Sequence, residues 1–117
     1  MDHLQTETNR YEGLSTGKIR EIVETIVASC NPERVVLFGS HAQGISGPES
    51  DLDLLVVMPS SLPRHKRAAP IRLLFRPSPC PMDILVYTPE EVNAWGGMVN
   101  HIITIAMQTG RVLYEKA

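Results

Sequence analysis

The chain has 117 residues, with eleven basic and thirteen acidic side chains and a formal net charge of −2. This length fits one domain with a single modest core, and the charge gives no indication of bulk affinity for nucleic acid, so we expect no direct DNA binding. No apolar run approaches the roughly 20 residues that a membrane-spanning helix needs.

The amino-terminal residues are polar and mixed in charge. We therefore expect residues 1–15 to form a flexible segment with no secretory signal, and residues 16–117 to form the domain. The two cysteines, Cys30 and Cys80, show neither metal-ligand spacing nor disulfide density, which indicates a reducing, cytoplasmic environment.

The first half of the domain predicts a helix and two strands. Apolar residues recur at helical spacing over residues 16–29, and Asn31-Pro32 ends that pattern because a residue before proline resists helical angles. Residues 35–38 predict a short buried strand. After a turn rich in Gly, Ser and Pro, residues 51–58 predict a second strand.

The middle of the chain is less regular because of its prolines. Residues 65–76 predict a helix, and Pro70 within it either kinks this helix or starts a shorter one. Three further prolines then lead into a third predicted strand, over residues 82–87.

The last part of the chain predicts two helices and a strand. Thr88 and Glu91 have the spacing of a capping box, Gly96-Gly97 is expected to interrupt the helix that follows, and a second helix is predicted over residues 98–108. Residues 111–114 predict a short strand. The predicted fold is α+β, with a small mixed sheet packed against helices on one side.

Two aspartates stand at the head of the second, otherwise apolar strand. Because side chains alternate along a strand, Asp51 and Asp53 project to the same side, about 6.6 Å apart at the backbone. Two converging carboxylates repel each other unless a cation intervenes, and Mg²⁺ or Mn²⁺ suits oxygen ligands and substrate phosphates. Two such ions about 3.5–4 Å apart would suit phosphoryl-type transfer. The alternative is a solvent-exposed strand start after a turn.

The third strand carries one carboxylate, Asp83, among apolar residues. If this strand lies beside the second, Asp83 completes a three-carboxylate cluster, where it would hold one metal and take or orient the proton of an attacking hydroxyl. An ordinary aspartate at a strand start is the alternative.

A glycine and a serine end the first strand. Gly39 lets a phosphate approach the backbone closely, and the free N–H groups of the bend together with the Ser40 hydroxyl provide hydrogen-bond donors. One strand end is thus predicted to bind phosphates, and the next strand to bind the metals that neutralise them.

The pattern of Gly39-Ser40, ten residues, then Asp51-Leu52-Asp53 resembles the signature of the nucleotidyltransferase superfamily that includes DNA polymerase beta. The compact length and the trailing residues 110–114 resemble the minimal nucleotidyltransferase (MNT) group. The resemblance covers about residues 16–115. It implies the polymerase beta-like fold and transfer of a nucleoside monophosphate from a nucleoside triphosphate with two divalent ions, Mg²⁺ or Mn²⁺.

MNT proteins are commonly encoded beside a HEPN-domain protein as a toxin–antitoxin pair. The resemblance implies that this chain is the antitoxin, that it forms a hetero-oligomer with a HEPN ribonuclease, and that it silences this toxin by transferring AMP from ATP to a tyrosine hydroxyl. Gly39 and Ser40 would hold the triphosphate. Asp51, Asp53 and Asp83 would ligate the metals. A chain of this length leaves little room for an acceptor-binding domain, so we expect a partner to supply the acceptor.

One position departs from the family pattern. Gln43 stands where many relatives have a basic residue, and the lost charge would weaken triphosphate binding or shift it to another base. Two alternative functions stay open: a non-catalytic module that neutralises the toxin by contact alone, and nucleotidyl transfer to a small molecule.

Two further features carry weaker signals. Residues 64–67, Arg-His-Lys-Arg, form a basic cluster that is either a solvated face or a surface that steers a triphosphate or an acidic partner. His41 follows the Gly-Ser pair, and we expect it on the surface, although a position facing the phosphates is the alternative.

Overall fold

The computed structural model describes residues 15–44, 51–95 and 101–117. The predictions for residues 1–14, for the turn up to residue 50 and for the break at Gly96-Gly97 lie outside these ranges. The described elements in chain order are α1 (Thr16–Cys30), β1 (Arg34–Phe38), α2 (Ser40–Gln43), β2 (Leu52–Val57), a 3-10 turn (Arg64–Lys66), α3 (Ala69–Arg72), β3 (Met82–Tyr87), α4 (Pro89–Trp95), α5 (Ile102–Thr109) and β4 (Arg111–Glu115).

Helix α1 has clear signals at both ends. The Ser15 side chain accepts a hydrogen bond from the backbone N–H of Lys18 at 3.1 Å, which satisfies one free donor of the first turn. Asn31 adopts the left-handed conformation with φ of 49°, and its N–H donates to the carbonyl oxygen of Val27 at 3.0 Å. The predicted helix is confirmed and ends one residue later than expected.

The four strands form one mixed sheet in the order β3-β2-β1-β4. Strand β1 is antiparallel to both of its neighbours, whereas β2 and β3 are parallel. Consequently β2 and β3 both begin at the end of the sheet where β1 finishes. The register there pairs Phe38 with Asp53, and Asp53 with Asp83.

Both faces of the sheet are buried. Alternate residues of β2 (Leu52, Leu54 and Val56) pack with α1 and with Ile71 of α3. The intervening residues Leu55 and Val57 pack with Ile103 and Ala106 of α5 on the other face. The α+β class is confirmed, but the expectation of helices on one side is wrong, because β2 is apolar at both sets of alternating positions beyond Asp53.

The proline-rich middle segment forms short elements. Instead of one helix over residues 65–76, the structure has the 3-10 turn and then α3, whose first turn contains Pro70. Proline is favourable there because its missing N–H would have no intrahelical partner. Of the two predicted outcomes for Pro70, the start of a shorter helix is the one observed.

The predicted capping box of α4 is confirmed. The N–H of Thr88 donates to Glu91 Oε1 at 2.8 Å, and the N–H of Glu91 donates to Thr88 Oγ1 at 3.2 Å. Helix α5 begins at Ile102, where the His101 side chain accepts a hydrogen bond from the N–H of Ile103 at 3.1 Å. None of the described helices is long and apolar enough to span a membrane.

Two arginines bind the outer edge of β3. Because Tyr87 and Pro81 direct their carbonyl oxygens to β2, the carbonyl oxygens of Met82 and Val86 point away from the sheet. Arg72 Nη1 donates to the Met82 oxygen at 2.8 Å, and Arg67 Nη1 donates to the Val86 oxygen at 3.3 Å.

Candidate functional site

The predicted site residues meet at one end of the sheet. The bend Gly39-Ser40 directly follows β1, while Asp53 lies at the start of β2 and Asp83 at the start of β3. The strand directions bring these three positions together, since β1 runs against β2 and β2 runs with β3. Asp51 lies just before β2 and is exposed.

Gly39 is in direct contact with Asp53. Its φ of 74° and ψ of −157° belong to a region that only glycine adopts readily. A Cβ atom built on Gly39 would overlap Oδ2 of Asp53 and would lie 3.0 Å from its Cγ. Glycine is therefore needed here for two reasons, the backbone angles and the space that the Asp53 carboxylate occupies.

Asp53 and Asp83 are direct neighbours across parallel strands. Residues paired in this way project from the same face of the sheet, so their carboxylates lie side by side. Burial raises the pKa of Asp53, and the negative charges of Asp83 and Asp51 raise it further, while His41 acts in the opposite direction. The Asp53 carboxylate is therefore less easily ionised than an ordinary aspartate, and a cation bound beside it would oppose this effect.

The donor set is compatible with Mg²⁺ or Mn²⁺, although it is incomplete by itself. Among the described residues, no group of three or more His, Cys, Asp and Glu side chains is arranged to hold a metal ion. The predicted three-carboxylate cluster is therefore not a closed set of protein ligands. Mg²⁺ is commonly bound by one or two carboxylates together with substrate phosphates and water, and the neighbouring Asp53 and Asp83 provide such a pair.

The residues after Gly39 form the short helix α2. Ser40 is its first residue and is partly buried. Gln43 is exposed, and its N–H donates to the carbonyl oxygen of Gly39 at 3.3 Å, which closes the bend. The uncharged position that departs from the family pattern thus lies on the surface of α2, next to the bend. The phosphate-binding roles of Gly39 and Ser40 remain predictions.

His41 is the residue that sequence reasoning misplaced. It was expected on the surface, but its side chain is only 7 % exposed. Its Nδ1 lies 3.0 Å from the carbonyl oxygen of Asp51. This contact places the ring between α2 and the start of β2, where it is buried. No periodic pattern in the sequence signals such a contact.

The basic cluster of residues 64–67 has a structural role away from the carboxylates. Arg67 forms an ion pair with Glu91 at 2.6 Å, and the Arg64 guanidinium lies 4.7 Å from the ring centroid of Trp95. Both arginines lie near the end of β3, about 13 Å along the strand from Asp83. His65 and Lys66 are exposed. Two of the four side chains of the cluster are therefore committed to contacts within the chain.

The comparison with solved structures supports the same fold. A crystal structure of a candidate nucleotidyltransferase from Sulfolobus solfataricus superposes with a TM-score of 0.59 and 22% sequence identity, covering 84% of this chain and 78% of that one. At this identity the similarity shows a shared fold. A comparison with proteins of curated function gives no match.

The comparison with family models identifies the family. The model described as "Nucleotidyltransferase domain" matches residues 17–114, which include the bend, the three aspartates of the site, strands β1 to β3 and all but the last residue of β4. Because this match spans most of the chain, and because the structure places Gly39 against Asp53 and Asp53 beside Asp83, the chain belongs to the nucleotidyltransferase domain family.

Proposed function

We propose that this nucleotidyltransferase is the antitoxin of a toxin–antitoxin pair and that it transfers AMP from ATP to a tyrosine hydroxyl of a HEPN ribonuclease. The observation that carries the nucleotidyl-transfer part is the contact between the Gly39-Ser40 bend and Asp53, with Asp83 alongside. The nature of the acceptor comes from the resemblance to the MNT group, and a labelling reaction tests it.

The proposed roles follow from the position of each side chain. Gly39 and Ser40 would bind the triphosphate, because the bend lies against the carboxylate of Asp53, which has Asp83 as its neighbour. Asp51, Asp53 and Asp83 would hold Mg²⁺ or Mn²⁺, which supplies charge neutralisation for the phosphates. The raised pKa of Asp53, caused by burial and by two neighbouring carboxylates, is consistent with a position that a divalent cation stabilises.

The reaction transfers one proton and exchanges one phosphorus–oxygen bond for another. The acceptor oxygen forms a bond to the α-phosphorus of ATP, and the bond from that phosphorus to the bridging oxygen breaks, so pyrophosphate leaves. The hydroxyl proton must go to a base near the attacking oxygen. Asp83 is the proposed base or proton-orienting group, because it is exposed at the start of the edge strand β3, where an acceptor from outside can reach it.

A surface suited to a protein partner lies at the opposite edge of the sheet. A groove of about 630 Å³ lies between α1 and β4. It includes Val112 and Leu113, which are 52 % and 36 % exposed. Apolar side chains exposed together are typical of protein interfaces. This supports the proposal of a hetero-oligomer with the toxin.

The test is a labelling reaction. The purified chain, Mg²⁺ and ATP labelled at the α-phosphate are incubated with the HEPN ribonuclease encoded by the neighbouring gene, and label is expected on a tyrosine of the ribonuclease. ATP labelled at the γ-phosphate is the matched control and should give no label, because pyrophosphate leaves. The double variant Asp51→Asn/Asp53→Asn should fold and should not transfer AMP.

Each alternative function gives a different result. Tight complex formation with no label from any nucleoside triphosphate would replace this proposal with a masking module. Label on a small hydroxyl compound and none on the ribonuclease would identify a small-molecule transferase. Label that persists in the double aspartate variant would contradict the assignment of the metal ligands.

A further inference from the structure

A buried histidine lies beside the carboxylates, and the roles proposed above do not use it. His41 is one of the few polar residues in the buried interior of the described chain. Its Nδ1 contacts the carbonyl oxygen of Asp51 at 3.0 Å, whereas its Nε2 is buried and has no hydrogen-bond partner among the described residues. Buried polar atoms without partners are uncommon in folded proteins. A histidine at this position therefore needs an explanation other than packing.

The contact with Asp51 determines which ring nitrogen carries the hydrogen. A carbonyl oxygen only accepts hydrogen bonds, so Nδ1 donates, and in the neutral ring the lone pair is on Nε2. The bond joins residue 41 to residue 51 across the connection between β1 and β2. It thereby fixes the backbone at the point where the chain enters β2.

We propose that His41 is a positioning residue that holds Asp51, and through β2 also Asp53, at a fixed place beside the Gly39-Ser40 bend. This inference rests on the proposed function, because it takes these carboxylates as ligands of a divalent cation. His41 acts through the backbone of Asp51 and does not touch the substrate. Its Nδ1–H is the group that matters, and its Nε2 is not required.

A second contact supports this role. On the same bend, Gly39 lies against the Asp53 carboxylate. The bend therefore meets the start of β2 at two points, Gly39 with Asp53 and His41 with Asp51, and two points fix orientation as well as distance.

The experiment separates the two ring nitrogens. His41→Asn keeps an amide N–H near the position of Nδ1, His41→Gln moves it towards the position of Nε2, and His41→Leu removes both. Mn²⁺ binding to the full chain without nucleotide is measured by electron paramagnetic resonance. We expect the dissociation constant to rise about tenfold or more in His41→Leu and His41→Gln, and His41→Asn to recover most of the loss. His65→Leu, an exposed histidine elsewhere, should bind Mn²⁺ like the wild type.

The inference is wrong if His41→Asn binds Mn²⁺ as weakly as His41→Leu, or if His41→Gln binds it as tightly as the wild type. Thermal unfolding without metal shows whether a variant has lost its fold. For a variant that does not fold, ¹⁵N NMR of the wild-type histidines decides, since an Nε2–H tautomer of His41 overturns the inference. A wild type that binds Mn²⁺ but labels no partner refutes the proposed function alone. If the wild-type chain binds no Mn²⁺, both the proposed function and this inference are refuted.

Discussion

Gly39→Ala and Gly44→Ala form a matched pair of substitutions. Both glycines have nearly the same positive φ, 74° and 75°. They differ in their surroundings, because a Cβ on Gly39 would overlap the Asp53 carboxylate, whereas a Cβ on Gly44 would meet no described residue within 4 Å. The pair therefore separates backbone strain from the loss of space at the site.

The stability effects of the two variants should be similar in scale. Gly44 has the left-handed conformation, in which alanine costs about 1–2 kcal/mol. Gly39 has a ψ of −157°, a region almost exclusive to glycine, and alanine there costs about 1–3 kcal/mol. The overlap adds little to this cost, because the atom in the way is the end of a rotatable carboxylate.

The effects on activity should be very different. An ordinary contact distance is about 3.5 Å or more, so the Asp53 carboxylate must move by about 1 Å or more to accommodate the added methyl group, and a displacement of that size can cost about a hundredfold in rate. We expect Gly39→Ala to lose at least that factor in AMP transfer and Gly44→Ala to keep the wild-type rate. Urea unfolding and the α-phosphate labelling reaction measure the two quantities. Equal rates for both variants would refute the reasoning that the bend and Asp53 form one site.

Three further predictions concern charge. Burial and like charges raise the pKa of Asp53 above its ordinary value of 3.8. Between pH 3.8 and the pKa of the folded state, the folded chain therefore binds more protons than the unfolded chain. The free energy of unfolding falls as the pH rises through this range. Asp53→Asn should therefore match or exceed the wild-type unfolding free energy at pH 7 in urea titrations, while AMP transfer is lost; a large destabilisation would show that the Asp53 charge stabilises the fold. Glu91→Gln should cost about 1–3 kcal/mol, since it weakens a short ion pair with Arg67 whose side chains are 10% and 18% exposed. The exposed Glu90→Gln control should change stability by less than about 0.5 kcal/mol, and a loss of transfer activity in Glu91→Gln would contradict the separation of this pair from the site. Mg²⁺ at a hundred times its dissociation constant should raise the unfolding free energy by about 2.7 kcal/mol, as measured by thermal shift with EDTA reversal, and an equal rise in Asp53→Asn would place the ion elsewhere.

Local patterns allowed much of this fold to be predicted from the sequence. Strand β3 has the predicted bounds, Met82–Tyr87, because an apolar run between prolines and a capping box leaves few alternatives. The meeting of Asp53 and Asp83 also followed from the sequence, given that their strands are neighbours. In both cases the signal lies within a few residues of the element that it specifies.

The features that were missed depend on contacts distant in sequence. The packing of α5 against the second face of the sheet depends on which strands lie in the middle of the sheet. The apolar stripe of α5 does not give this information. The pairing of Arg67 with Glu91 joins residues 24 positions apart, and the burial of His41 depends on its contact with Asp51 at the start of β2. From the sequence alone, the Arg67 side chain therefore looked like part of a solvated face.

The two arginine contacts on β3 have a consequence for self-association. An additional strand would pair with the outer side of β3 through the backbone groups that point away from β2. Two of these groups, the carbonyl oxygens of Met82 and Val86, already accept hydrogen bonds from guanidinium groups. An added strand would have to displace Arg72 and Arg67 before it could pair along the whole length of β3. This side of the sheet is thus protected against the template-like growth that leads to fibrils.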